Sequence, residues 1–186
     1  GISDSTSVVP TLTNIGEGFE RNDLLANYRQ KLIDSAKGHT LSGMRIVLDL
    51  CWGSATSCAQ EIFESLGAQL TILHGKPDGN KINVNCGSTQ LGALRKIVLE
   101  QGAEMGFAFD GDSDRMMAVD HKGRVINGDH VLFMWGSYLQ ERNELPEEKL
   151  VATVMSNLGF EKAWVKRGGV LERTAVGDQN VFQAMI

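Results

Sequence analysis

The sequence places three aspartates at alternate positions of one short segment, Asp110, Asp112 and Asp114, and Arg115 follows them directly. Three neighbouring carboxylates ionise together only at a cost unless a cation lies between them. Mg²⁺ prefers hard oxygen ligands, usually carboxylates, waters and phosphate oxygens. Arg115 is not a metal ligand, but its guanidinium can bind a metal-held phosphate through two hydrogen bonds. The spacing therefore favours a divalent-metal site that handles phosphate, and a solvated acidic turn is the alternative.

The same spacing also begins an EF-hand calcium loop, which needs glycine at its sixth position and glutamate at its twelfth. Those two positions hold Arg115 and His121. The sequence therefore excludes an EF-hand.

Short apolar runs alternate with helical periodicity on both sides of this segment, which predicts an α/β fold. We expect a mostly parallel mixed sheet sandwiched between helices, followed by an incomplete second α/β unit. The acidic segment leaves a predicted strand at its carboxyl end, where ligands gather in open α/β sheets. The predicted units are a lead-in over residues 1–20, an α/β domain over 21–127 and the incomplete unit over 128–186. Predicted strands lie at 45–50, 69–73, 105–109, 116–119, 124–126, 150–155 and 170–174.

Two predictions concern the orientation and start of helices. Ser88 or Thr89 is expected to cap a helix that carries Leu91 and Leu94 inward. A later helix is expected to turn one apolar stripe toward the core. Its members are Val131, Leu132, Trp135, Tyr138 and Leu139.

Composition limits the partners that we expect. The chain has 18 basic and 23 acidic side chains and a net charge of −5, which argues against nucleic acid and anionic membranes as partners. No apolar run reaches the length of a membrane-spanning helix, and the first residues do not resemble a signal peptide. The three cysteines fit a reducing compartment, so we expect a cytoplasmic protein. Both ends read as cut from a longer sequence.

Residues 108–115 resemble the metal-binding loop of the α-D-phosphohexomutase superfamily. Three further segments resemble motifs of the bacterial phosphoglucosamine mutase branch of that superfamily, and they occur in the same order along the chain. These segments are 80–89, 153–159 and 175–178.

The resemblance implies an enzyme that interconverts glucosamine 6-phosphate and glucosamine 1-phosphate through a phosphoserine and a bisphosphate intermediate. It implies that Asp110, Asp112 and Asp114 bind Mg²⁺ and that Arg115, as a catalytic residue, contacts the phosphoserine. Phosphoryl transfer depends on such positioning and charge stabilisation.

The resemblance also identifies Gly177 and Asp178 as part of a substrate-binding loop, with a plain turn as the alternative. The family usually continues this loop with arginine and tyrosine, whereas this chain has Gln179 and Asn180. Without this arginine, the loop lacks a permanent positive charge that could bind a phosphate. Ser113 stands where the family often has glycine.

No segment resembles the family's serine loop, its sugar-binding glutamate-serine motif or its C-terminal phosphate-binding domain. We therefore expect the chain to be inactive alone, with a hexosamine phosphate and the remaining domains of the parent protein as partners. Self-association of the incomplete unit is also expected. The alternative functions are a fragment of a phosphomannomutase or phosphoglucomutase, and a non-catalytic module that binds a sugar phosphate or a partner.

Overall fold

The computed structural model describes residues 18–186, so most of the predicted lead-in lies outside the described residues. Short 3₁₀ segments at Ser54–Ser57 and Pro146–Glu148 join an otherwise regular alternation of helices and strands. In chain order the elements are α1 (Asn22–Ser35), β1 (Arg45–Asp49), α2 (Ala59–Ser65), β2 (Gln69–Leu73), α3 (Gly92–Gln101), β3 (Met105–Phe109), β4 (Met116–Asp120), β5 (Val125–Ile126), α4 (Gly128–Glu141), β6 (Lys149–Thr153), α5 (Leu158–Lys166), β7 (Val170–Thr174) and α6 (Asp178–Met185).

The first sheet has the strand order β2-β1-β3-β4-β5. Strands β2, β1 and β3 run parallel, while β4 pairs with β3 and β5 pairs with β4 in the antiparallel sense. The predicted mixed sheet is confirmed. Because the three parallel strands point the same way, their carboxyl ends meet at one edge of the sheet.

Helices cover both faces of this sheet, which explains the continuous apolar run in β1. Ile46 and Leu48 face the core that lies under α2, whereas Val47 faces the core that lies under α3. All three side chains are almost completely buried. A strand buried on both faces has no polar alternation, as the sequence indicated.

The second sheet consists of β6 and β7, which pair in parallel. Its core is centred on Trp164 of α5, which is fully buried and packs with Leu150 and Phe160. The indole Nε1 donates a hydrogen bond to the carbonyl oxygen of Val170 at 3.0 Å. This bond satisfies the polar atom of the buried ring and fastens α5 to β7.

The predicted cap of α3 is wrong. The helix begins at Gly92 with Leu91 as its N-cap residue, and no side chain caps it. Ser88 instead lies in the preceding loop, buried, and its backbone N–H donates to the carbonyl oxygen of Phe109. By contrast, α5 has a side-chain cap, since the side chain of Asn157 accepts the N–H of Phe160 at 2.8 Å.

The predicted orientation of α4 is also wrong in part. Leu132 and Phe133 pack onto the second core, and the buried Gly136 approaches Leu150 closely. Trp135, predicted to face inward, is 60% exposed and stacks on another exposed side chain, that of Tyr138. A stripe that includes a glycine brings the helix nearer to the sheet than a stripe of aromatic side chains would.

Among residues 18–186, no helix is both long enough and apolar enough to span a lipid bilayer.

We predict that Trp164→Ala lowers the free energy of unfolding by about 3–5 kcal/mol, because it leaves a cavity in the second core. Trp135→Ala is the matched control and should cost less than about 1 kcal/mol, since that ring is mostly in solvent. Urea unfolding followed by circular dichroism measures both values. Equal losses in the two variants would contradict the packing described here.

Candidate metal centre

The acidic loop, residues 110–115, connects β3 to β4 at the edge where the parallel strands end. The N–H of Asp110 donates to the carbonyl oxygen of Arg115 at 3.2 Å, which closes the loop at its base. Within it, the N–H of Ser113 donates to the carbonyl oxygen of Asp110, also at 3.2 Å. The backbone therefore reverses within six residues and brings alternate side chains to one place.

The structure brings the three predicted aspartates together. One carboxylate oxygen from each of Asp110, Asp112 and Asp114 lies within 4.8 Å of the other two. Asp110 is 2% exposed, while Asp112 and Asp114 are open to solvent. One buried and two accessible carboxylates form a cluster that a hydrated cation can reach, and oxygen donors suit Mg²⁺.

The electrostatics of the loop show how crowded its charges are. Burial opposes ionisation of Asp110, but hydrogen bonds from the backbone and side chain of Arg115 outweigh it and lower the pKa of Asp110. The pKa of Asp114 is raised, first by its hydrogen bond with Asp110, then by burial and the charges of Asp112 and Asp110. A divalent cation among these groups would offset the repulsion between their negative charges.

Arg115 lies at the exposed edge of the acidic loop and offsets part of its negative charge. Its Nε donates to Asp110 Oδ2 at 2.7 Å and lies 3.4 Å from Asp114 Oδ1, yet its side chain is 69% exposed. Among the residues that the structure describes, the hydrogen bonds of the Arg115 guanidinium are made by Nε and not by its two terminal nitrogens. The terminal nitrogens thus remain accessible to an anion next to the carboxylates.

Neighbouring loops hold the acidic loop through its backbone. The N–H of Ser54 donates to the carbonyl oxygen of Gly111 at 2.9 Å, and the Ser54 hydroxyl lies 2.8 Å from that of Ser113. Glycine is required at Gly53, because a Cβ there would collide with the backbone of Gly111, whereas a Cβ at Gly111 would collide only with the side chain of Ile82. Small residues on both sides let two backbones touch.

Ser113 has a φ of +65°, the left-handed conformation that glycine adopts without strain. This observation gives a physical reason for glycine at the equivalent family position. In this chain the hydroxyl of Ser113 gains the contact with Ser54 that a glycine would lack.

The contribution of Ser54 was missed in the sequence. A signal was available, because Ser54 closely follows β1 and the carboxyl ends of parallel strands share one edge. What the sequence lacked was the order of the strands, which places β1 directly beside β3.

The structure places Gly177 and Asp178 elsewhere, at the start of α6 behind the second sheet. Gly177 has a φ of +131° and precedes the helix, and Asp178 is its first residue. Across residues 18–186, no hydrogen bond or ion pair joins either residue to the acidic loop. The side chain of Asn180 donates to the carbonyl oxygen of Val176 at 3.0 Å, so it closes this turn.

Comparison with known proteins gives the family. The profile of the phosphoglucomutase/phosphomannomutase α/β/α domain II matches residues 25–123, and that of domain III matches residues 127–186. The phosphoglucosamine mutase of Prochlorococcus marinus (strain MIT 9313) is 63% identical over 177 residues, which are 95% of this chain and 38% of that protein. The chain thus spans little more than a third of the curated relatives it matches.

Two solved structures share the fold. The phosphoglucomutase/phosphomannomutase family protein of Burkholderia thailandensis has a TM-score of 0.72 and 25% identity, over 87% of this chain and 35% of that chain. The Aspergillus fumigatus N-acetylphosphoglucosamine mutase, solved with GlcNAc-6P and magnesium, has a TM-score of 0.63 and 18% identity, over 84% and 34% respectively. The acidic loop lies within the domain II match, and Gly177 and Asp178 lie within the domain III match. With both profiles matched in order over almost all of its described residues, the chain belongs to the phosphoglucomutase/phosphomannomutase family.

Proposed function

We propose that this chain is the part of a phosphoglucosamine mutase that supplies the metal-binding loop. The observation that carries the proposal is the convergence of Asp110, Asp112 and Asp114 at the carboxyl edge of the first sheet. The 63% identity with a phosphoglucosamine mutase supports this choice over a phosphomannomutase or phosphoglucomutase. The proposed reaction interconverts glucosamine 6-phosphate and glucosamine 1-phosphate through a phosphoserine and a bisphosphate intermediate.

The three aspartates would hold Mg²⁺, which would neutralise charge on a phosphoryl group during transfer. The residues fit this ion, since three carboxylate oxygens lie together and two of the side chains open to solvent. Asp110 provides a fixed, buried anchor, and the exposed Asp112 and Asp114 can adjust to the ion. Arg115 orients the phosphate of the serine through its accessible guanidinium nitrogens.

The proposed division of labour follows the two sheets. Residues 21–127 carry the metal loop, and residues 128–186 belong to an incomplete sugar-binding unit. The remaining domains of the parent protein would supply the phosphorylated serine and most contacts to the hexosamine phosphate. The three cysteines of this chain are free thiols, which agrees with a cytoplasmic location.

Gly177 and Asp178 are proposed to contact the sugar phosphate from the second unit. The positive φ of Gly177 turns the chain sharply before α6, which presents Asp178 in the first turn of that helix. Gln179 and Asn180 bring no permanent charge. Asn180 uses its amide within the turn, so recognition here relies on shape and on hydrogen bonds to Asp178 rather than on a positive charge.

We predict that the 186-residue chain has no mutase activity, because it brings no phosphorylated serine to the acidic loop. The parent protein should convert glucosamine 6-phosphate and prefer it to glucose or mannose 6-phosphate. A coupled assay with each of the three sugars measures both properties. Turnover by the chain alone would contradict the division of labour, and a parent protein that prefers glucose or mannose would contradict the proposed substrate.

We further predict that the chain binds Mg²⁺ weakly, since a phosphate ligand is missing, and that Asp112→Ala abolishes this binding. Asp34→Ala, which removes an exposed aspartate on α1, is the matched control and should leave binding unchanged. Isothermal titration calorimetry measures the affinity. Equal Mg²⁺ uptake by the Asp112 variant and the unmodified chain would refute the ligand assignment and favour a non-catalytic module.

A further inference from the structure

A second polar cluster lies beneath the acidic loop and is centred on Asp49, the last residue of β1. Asp49 is fully buried and accepts three hydrogen bonds. Its Oδ1 accepts from the N–H of Cys51 at 3.0 Å and faces His74 Nδ1 at 2.8 Å, and its Oδ2 accepts from the N–H of Gly87 at 3.0 Å. One carboxylate thus ties together the end of β1, the end of β2 and the loop that precedes α3.

This carboxylate supports an unusual backbone. Cys51, Trp52 and His74 have φ values of +55°, +56° and +53°, the left-handed region that side chains with a Cβ avoid. Each such residue is costly and persists only when its surroundings hold it. Asp49 bonds directly to two of the three residues, and the third lies between Cys51 and Gly53.

From the Asp49 cluster, two short paths lead to the acidic loop. On one side, the bend at Cys51 and Trp52 delivers Ser54, whose N–H donates to the carbonyl oxygen of Gly111 at 2.9 Å. On the other side, Gly87 leads to Ser88, whose N–H donates to the carbonyl oxygen of Phe109 at 3.2 Å. The acidic loop is therefore held on both flanks by backbone that Asp49 anchors.

The contact at Gly87 leaves no spare room. A Cβ at Gly87 would lie 2.8 Å from the carbonyl oxygen of Phe109 and 2.5 Å from Cys51 Sγ. Phe109 is the residue before Asp110, so a shift of the Gly87 segment would move the base of the acidic loop. Close packing transmits such a displacement rather than absorbing it.

A metal site in the cluster itself is the competing explanation, since polar atoms of Asp49, His74 and Cys86 lie within 4.8 Å of one another. Two observations favour a structural role. Asp49 and Cys86 are fully buried, so a hydrated cation cannot reach them as it can reach the exposed Asp112 and Asp114, and burial, with the neighbouring Cys51, raises the pKa of the Cys86 thiol to about 12. Metal binding needs the thiolate, which is scarce at neutral pH when the pKa is so high.

We propose that Asp49 is a positioning residue that sets the geometry of the acidic loop through the backbones of Ser54 and Ser88. The importance of that geometry for metal binding rests on the proposed function of the loop.

The test is Asp49→Asn in the 186-residue chain, with Val47→Ala as the matched control. Asparagine keeps the size of the side chain but offers one acceptor oxygen, so its amide group must face an N–H donor. Val47 lies two residues earlier in β1 and is also fully buried, but it packs in the core and makes no contact of this kind. Differential scanning calorimetry measures the thermal stability that each variant loses.

Two further readouts separate positioning from a general loss of stability. Amide hydrogen exchange reports on the N–H groups of Ser54 and Ser88, and titration with Mn²⁺ reports on the acidic loop, because Mn²⁺ also prefers oxygen ligands. In Asp49→Asn we expect exchange at both amides to accelerate at least tenfold and the Mn²⁺ dissociation constant to rise at least tenfold. In Val47→Ala both should stay within twofold.

Unchanged exchange at Ser54 and Ser88 in Asp49→Asn would overturn the proposal, as would equal effects in Val47→Ala. Uptake of Zn²⁺ that Asp49→Asn abolishes would overturn it in favour of a metal centre. If the unmodified chain takes up no Mn²⁺, the proposed function fails, while the exchange data still decide the positioning role. If Asp49→Asn does not fold, His74→Ala removes one partner of the carboxylate, and exchange at the same two amides must then accelerate.

Discussion

The structure depends on how three like charges are held in one small loop. Asp110, Asp112 and Asp114 repel one another, and the pKa of Asp114 is raised by its hydrogen bond with Asp110, by burial and by the charges of Asp112 and Asp110. The side chain and the backbone N–H of Arg115 both donate to the Asp110 carboxylate and offset part of this repulsion from within the loop. A divalent cation, as we propose for this loop, would offset the rest, because such an ion can bind several carboxylates together. The fold keeps the loop closed while its charges favour opening it.

Rigid strands make this possible. The parallel strands β1, β2 and β3 are covered on both faces, so their carboxyl ends are fixed relative to one another. The loops that leave these ends then meet backbone to backbone, through small residues such as Gly53 and Gly111. Backbone hydrogen bonds at such contacts hold the acidic loop without using the carboxylates of Asp112 and Asp114, which stay exposed.

The second sheet is also packed against helices, but it is smaller than the first. Trp164 fills the space between α4, α5 and two parallel strands, and the turn at Gly177 leads into α6. Several apolar side chains of α4 nevertheless stay in solvent, among them Trp135 and Met134. The described residues therefore divide into a well-covered sheet that bears the metal candidate and a smaller one that bears the proposed sugar contacts.

The sequence by itself determined most elements, the mixed sheet and the acidic loop, because hydrophobic periodicity and the spacing of three aspartates are local properties. It did not determine which face of α4 is buried, since the approach allowed by Gly136 depends on Leu150, a residue of another element. Nor did it reveal Asp49, which in sequence is a polar residue at the end of an apolar run. Only the tertiary structure joins Asp49 to His74 and Gly87, 25 and 38 residues away, because hydrogen bonds between distant segments are set by strand order and packing.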